Sequence, residues 1–187
     1  MAIGFLWCLA AVADEWYPGS LVLKNNKVLK GEISLRYEYD VVLFKVGREH
    51  MVYPAHKIRS FSIIDEETEA TYTFISVVES DGAAMVHRLY EVVLDGGMSV
   101  LRRQRTVWYS IHLDEIAFDY FVRKGNEITS MPEFRRKTLP AMLRQPENQL
   151  SAYVRKNRLS KHRLDDLIQI INHYNLLQIS ATPLARN

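Results

Sequence analysis

Residues 19–64, GSLVLKNNKVLKGEISLRYEYDVVLFKVGREHMVYPAHKIRSFSII, read as short strands joined by tight turns. Leu21 and Leu23 alternate with Ser20, Val22 and Lys24, and Asn25-Asn26 supplies two residues that tolerate positive φ in a hairpin. In the next strand Leu29, Ile33 and Leu35 alternate with polar neighbours, and Gly31 marks a bend or bulge where a missing side chain lets backbones approach. Asp40 to Val46 is dense in β-branched and aromatic residues, and Gly47-Arg48-Glu49 turns it back into His50 to Tyr53. Pro54 ends that strand because it cannot donate to a ladder, Ala55-His56-Lys57 has the length of one helical turn, and Ile58 to Ile64 resumes the extended pattern. Five curled strands in so short a stretch predict a small closed barrel, since closure removes exposed strand edges.

Working outward, Asp65 to Glu69 is an acidic run that reads as a solvated connection. Strand composition returns at Thr71 to Val78, then at Met85 to Leu94 after a Ser80-Asp81-Gly82 turn. Asp95-Gly96-Gly97 is a strong hairpin signal before Met98 to Arg105, and a last hairpin pairs Phe118 to Val122 with Glu127 to Thr129 around Lys124-Gly125-Asn126. The character then becomes helical. Ser130, Pro132 and Glu133 form a capping box with proline in the first turn, and Pro140 divides the stretch from Pro132 to Arg144 into two short pieces. A second helix is expected near Pro146 with Leu150, Tyr153 and Val154 on one face. In the last helix Leu164, Leu167, Ile168, Ile171 and Tyr174 fall at helical spacing behind Asp165-Asp166. The expected class is therefore α+β: an antiparallel small barrel or meander over 14–130, a bundle of short helices over 131–178, and a flexible tail over 179–187.

The strand order and punctuation of 19–64 resemble the small SH3-like barrels of the Sm-like and PRC-barrel kinds. With a helical region ending in a Tyr-Asn pair, here Tyr174-Asn175, the chain also resembles uncharacterised exported bacterial proteins that join such a β-rich part to C-terminal helices. The likeness implies a binding or assembly role and carries no catalytic residues with it.

The first thirteen residues, MAIGFLWCLAAVA, are apolar and uncharged and end in Ala11-Val12-Ala13 before Asp14-Glu15. Small residues at these positions before a polar start fit an export signal cleaved after Ala13, which places the protein outside the cytoplasm, secreted or in the periplasm or cell envelope. Cys8 is the only cysteine and is lost with that segment, so disulfides, thiol catalysis and cysteine metal sites are not expected in the mature chain. Nor does any other apolar run reach the roughly 18 residues of a membrane span.

Length and composition, 187 residues with 48% hydrophobic and 25% charged, are those of an ordinary globular chain. The net charge of +2 conceals a polarity. Residues 14–101 hold 9 Lys and Arg against 14 Asp and Glu, whereas residues 102–163 hold 14 against 6. The basic half concentrates in Arg102, Arg103 and Arg105, in Arg135, Arg136 and Lys137, and in Arg155, Lys156 and Arg158, which we read as a contact surface for an acidic partner or an anionic envelope surface.

Catalytic signatures are sparse. The histidines at 50, 56, 87, 112, 162 and 173 lack metal-ligand spacing, and only folding could gather His50, His56 and His87 with Asp40 or Glu49 around an ion. No serine lies in a G-x-S-x-G elbow, His112-Leu113-Asp114-Glu115 reads as a loop, and the adjacent pairs Asp65-Glu66 and Asp165-Asp166 point their carboxylates apart. Trp16, Tyr17, Tyr37, Tyr39, Trp108, Tyr109 and Tyr120 lie near turns and strand ends, where exposed rings can stack on a sugar or peptide. The expected function is a non-catalytic exported interaction or assembly module that binds a protein or surface polymer in the envelope, with no cofactor and no metal. The alternative is a small-barrel nucleic-acid binder using the basic half, which export disfavours.

Overall fold

The computed structural model describes residues 15–82, 84–105, 117–144 and 149–181. The expectations for segment 1–13 and Cys8, for Trp108, Tyr109 and residues 112–115, for a helix start near Pro146 and for residues 182–187 lie outside the described residues.

Ten antiparallel strands form one sheet. In chain order they are β1 (Tyr17–Leu23), β2 (Val28–Arg36), β3 (Val41–Val46), β4 (Glu49–Pro54), β5 (Ile58–Asp65), β6 (Ala70–Asp81), β7 (Ala84–Leu94), β8 (Met98–Gln104), β9 (Phe118–Lys124) and β10 (Glu127–Ser130). Their spatial order is β10-β9-β8-β7-β6-β5-β1-β2-β3-β4. The expected closed barrel is thus corrected: the sheet is open, with β4 paired only to β3 and β10 only to β9 among the described residues. The reason lies just past the barrel-like stretch. A turn held by the Asp65 carboxylate, which accepts the Glu67 and Thr68 N–H groups at 3.0 and 3.3 Å, sends β6 back along β5 and fills the edge that closure would have used. With it falls the likeness to small-barrel proteins with a helical bundle behind them.

The bends read from the sequence are present. Gly19 and Gly31 face each other across the β1–β2 ladder. A Cβ built on either would run into backbone oxygen, that of Ser62 for Gly19 and that of Lys45 for Gly31. The sheet curls tightly there because neither residue has a side chain. Asn26 (φ 67°) and Gly47 (φ 59°) occupy the left-handed conformations their hairpins need.

Two clusters carry most of the buried apolar side chains. Leu21, Ile33, Val42, Phe44, Ile58 and Phe61 pack inside the curl of β1–β5, where β6 and β7 add Phe74 and Leu89. A second cluster joins Met98, Val100 and Val122 of β8 and β9 to the helices. The expected separate helical bundle is corrected by this packing. The short C-terminal helices could bury too little of their own surface to stand alone, and the last of them lies against β8 as well as against the helix before it.

Ser130 caps α1 (Met131–Glu133), accepting the Glu133 N–H on its hydroxyl at 3.4 Å. The chain continues through one π turn, Phe134–Thr138, into α2 (Leu139–Leu143), so residues 131–143 form one helical run across Pro140. The wide turn, in which the Leu139 N–H donates to the Phe134 carbonyl, accommodates a proline that has no N–H to donate and would crowd the carbonyl four residues back. In α3 (Gln149–Lys156) Leu150 and Val154 are buried. In α4 (Leu164–Ala181) Leu167, Ile170 and Ile171 are buried, with Leu164, Ile168 and Tyr174 packed beside them.

Asn175 fixes α4 to the sheet. Its side chain accepts the Met98 N–H and donates to the Met98 carbonyl, both at 2.9 Å, standing in for a neighbouring strand at the start of β8. Gly96 (φ 155°) lies against that amide with no room for a Cβ. No helix among the described residues is long and apolar enough to cross a membrane.

Candidate functional site

The nine basic residues of the expected contact surface do not form one patch. Arg102 and Arg103 are neighbours on β8, so their side chains leave opposite faces of the sheet. Arg102 makes a two-pronged ion pair with Glu91, its Nε and Nη2 at 2.8 and 2.7 Å from the two carboxylate oxygens, and lies over the Phe118 ring at 4.4 Å. Arg103 is turned inward, with only 12% of its side chain exposed. It holds the Asp40 carboxylate and donates to the carbonyls of Tyr37 and Leu89 at 2.6 and 3.1 Å. Lys137 is paired with Glu133 at 2.6 Å. Arg155 and Lys156 end α3, and Arg158 (φ 53°) sits in the turn after it.

Arg105 and Arg135 come together. Both line a cleft of about 510 Å³ between β9, the first turn of α1 and the start of α4. Phe118, Tyr120, Met131, Leu164 and Leu167 contribute apolar walls, and His162 stands at the same opening. Alternation along β9 presents Phe118 and Tyr120 on one face, the capped turn at Ser130 sets Arg135 one turn into the helix, and α4 brings Leu164 and Leu167 down the opposite side.

Charge in the cleft is simple. Arg105 is exposed and ion-paired with Asp119, so the two nearly cancel. Arg135 and His162 are exposed and have no ion-pair partner among the described residues. The Ser130 hydroxyl also lines the cleft and is engaged in capping the helix. A cation and hydrogen-bond donors above aromatic and aliphatic walls can hold an anion carried on an apolar body.

The histidine grouping is only partly assembled. His56 and His87 face each other with ring centroids 6.4 Å apart, but His50 stands against Trp16, 5.7 Å away, and Asp40 is taken by Arg103. Lys24 Nζ reaches the His87 ring at 3.4 Å and Ser76 Oγ lies 3.4 Å from its Nδ1. Burial, then Lys24, then His56 pull the His87 pKa below its ordinary value, so the ring resists protonation. No three His, Cys, Asp or Glu side chains gather as metal ligands among the described residues.

Most of the described aromatic residues are structural. Tyr37 is largely buried beside Arg103, and burial raises its pKa. Tyr90, also buried, donates to Glu79, and its pKa is raised for both reasons. Trp16 packs between His50 and Lys45, and Tyr17 donates to Glu15 at 2.8 Å. Tyr39 is 76% exposed in the β2–β3 turn. Among the described residues of this group, only Tyr120 reaches the cleft. Sequence reasoning does not single out Phe118 or Leu164 as site residues, and the alternation of Phe118 with Tyr120 is the available signal; His162 belongs to the basic run Lys161-His162-Arg163.

Comparison with protein-family models, with curated proteins and with solved structures finds no match to this chain.

Proposed function

We propose that the protein is a non-catalytic interaction module of the cell envelope, exported by its apolar N-terminal segment, that engages an acidic partner at the cleft between β9 and the helices. The observation that supports this most strongly is the placement of Arg135 and His162, two basic side chains without an ion-pair partner among the described residues, at the mouth of an apolar cleft. A cation used only for solubility has no need of aromatic walls beneath it. A continuous nucleic-acid track is disfavoured by the same geometry, because Arg102, Arg103 and Lys137 spend their charge on Glu91, Asp40 and Glu133.

Polyglutamate immobilised on a sensor is the direct test. The full chain is expected to adsorb to it, several-fold less at 0.5 M than at 0.05 M salt, because exposed charges are screened over about 10 Å at 0.1 M. Arg135→Glu is expected to weaken adsorption at least about fivefold, as reversing a rim charge turns attraction into repulsion. Adsorption that ignores salt, or tighter retention on single-stranded DNA, would overturn the reading.

A further inference from the structure

We infer that the cleft is a receptor for a single carboxylate carried on an aromatic or aliphatic group, as at the C-terminus of a peptide ending in an apolar residue. This rests on the reading of the protein as an interaction module and specifies what its cleft holds.

The fixed charges set the valence. Arg105 and Asp119 neutralise each other across the cleft wall, which leaves Arg135 as the uncompensated permanent charge among the described residues of the lining, with the His162 ring beside it as a further polar partner. One positive charge suits a monoanion. A phosphate dianion placed there would be left with excess charge. The guanidinium fork matches the two oxygens of a carboxylate.

The walls set the body. Phe118 and Tyr120 from β9, Met131 from α1 and Leu164 and Leu167 from α4 border an open cleft of about 510 Å³. That is within the range of about 300–1,000 Å³ typical of small-ligand sites and ample for one apolar side chain with the backbone next to it. Phe118 is already held by the Arg102 guanidinium at 4.4 Å, which fixes the ring before any ligand arrives. Rings held in this way lose little freedom on binding.

Calorimetric titration of the full chain with acetyl-Ala-Ala-Ala-Phe as the free acid, its C-terminal amide, N-acetylphenylalanine and phenyl phosphate separates the possibilities. The free-acid peptide is expected to bind at least tenfold more tightly than its amide, and Arg135→Gln to lose about tenfold while Arg155→Gln, at the end of α3, retains parental affinity. N-acetylphenylalanine is expected to bind more weakly than the peptide acid, since it lacks the preceding backbone. Equal binding of acid and amide, parental binding by Arg135→Gln, or tighter binding of phenyl phosphate would overturn the inference. Persistent polyglutamate adsorption with no response to these probes would overturn it alone. Loss of polyglutamate adsorption would remove the module reading itself.

Discussion

Asp40→Ala is expected to lower the free energy of unfolding by about 3 kcal/mol, the low end of the range for removing one partner of a buried ion pair, because Asp40 keeps 18% of its side chain exposed. Asp40 sits in the β2–β3 turn in a left-handed conformation (φ 51°) and spans parts of the chain far apart in sequence. Its carboxylate holds Arg103 of β8 and accepts the Leu89 N–H of β7 at 2.9 Å, and its own carbonyl accepts the Ala55 N–H at 2.8 Å. The β7–β8 ladder runs only between Glu91 and Leu94 on β7, so this side chain supplies the partner that Leu89 would otherwise lack. Alanine leaves the Arg103 guanidinium inside the protein with two carbonyls and no counter-charge. Urea unfolding followed by circular dichroism measures the loss. Arg103→Met removes the cation as well, and the double variant is expected to be clearly less destabilised than the sum of the two singles. Additive effects would show that the pair is not the clasp described.

The second large effect is expected from Ile171→Asp, which should cost at least about 4 kcal/mol. Truncating a buried isoleucine costs about 2–5 kcal/mol by itself, and a carboxylate left without a partner adds its desolvation. Ile171 has no exposed surface and lies in the cluster that joins α4 to Met98, Val100 and Val122. Leu176→Asp on the same helix is the control, since Leu176 is 55% exposed and should change stability by less than about 1 kcal/mol. If Ile171→Asp melted like the parent, α4 would not be seated on the sheet.

The chain's local structure is easy to read because local chemistry decides it. Asn25-Asn26, Gly47-Arg48, Asp95-Gly96-Gly97 and Lys124-Gly125-Asn126 each turn the chain where their backbone preferences say they should, and Ser130 caps its helix. Neighbour relations are harder. Alternation in Ile58 to Ile64 shows that a strand exists but not that β6 rather than β4 takes its free edge, and the barrel expectation fails on that one pairing. The basic runs are dispersed in space for a related reason. Arg102, Arg103 and Arg105 are close in sequence, yet the two-residue period sends Arg103 to a carboxylate 63 positions away, a relation no charge count can reveal. Pro140 reads as a break because the rule for α-helices forbids it, and the π turn before it removes the conflict. The cleft draws on β9, α1 and α4, so only its individual parts are visible in the sequence: Arg105 and Arg135 among the basic runs, Tyr120 among the aromatic residues.

Hydrogen exchange of the full chain with and without polyglutamate tests the central claim most directly. Protection is expected in segments covering Phe118 to Phe121, Ser130 to Arg135 and His162 to Leu167, which share the cleft and little else in sequence. Protection centred instead on the β4 edge, or around Lys24, His56 and His87, would contradict the account and move the binding surface away from the cleft.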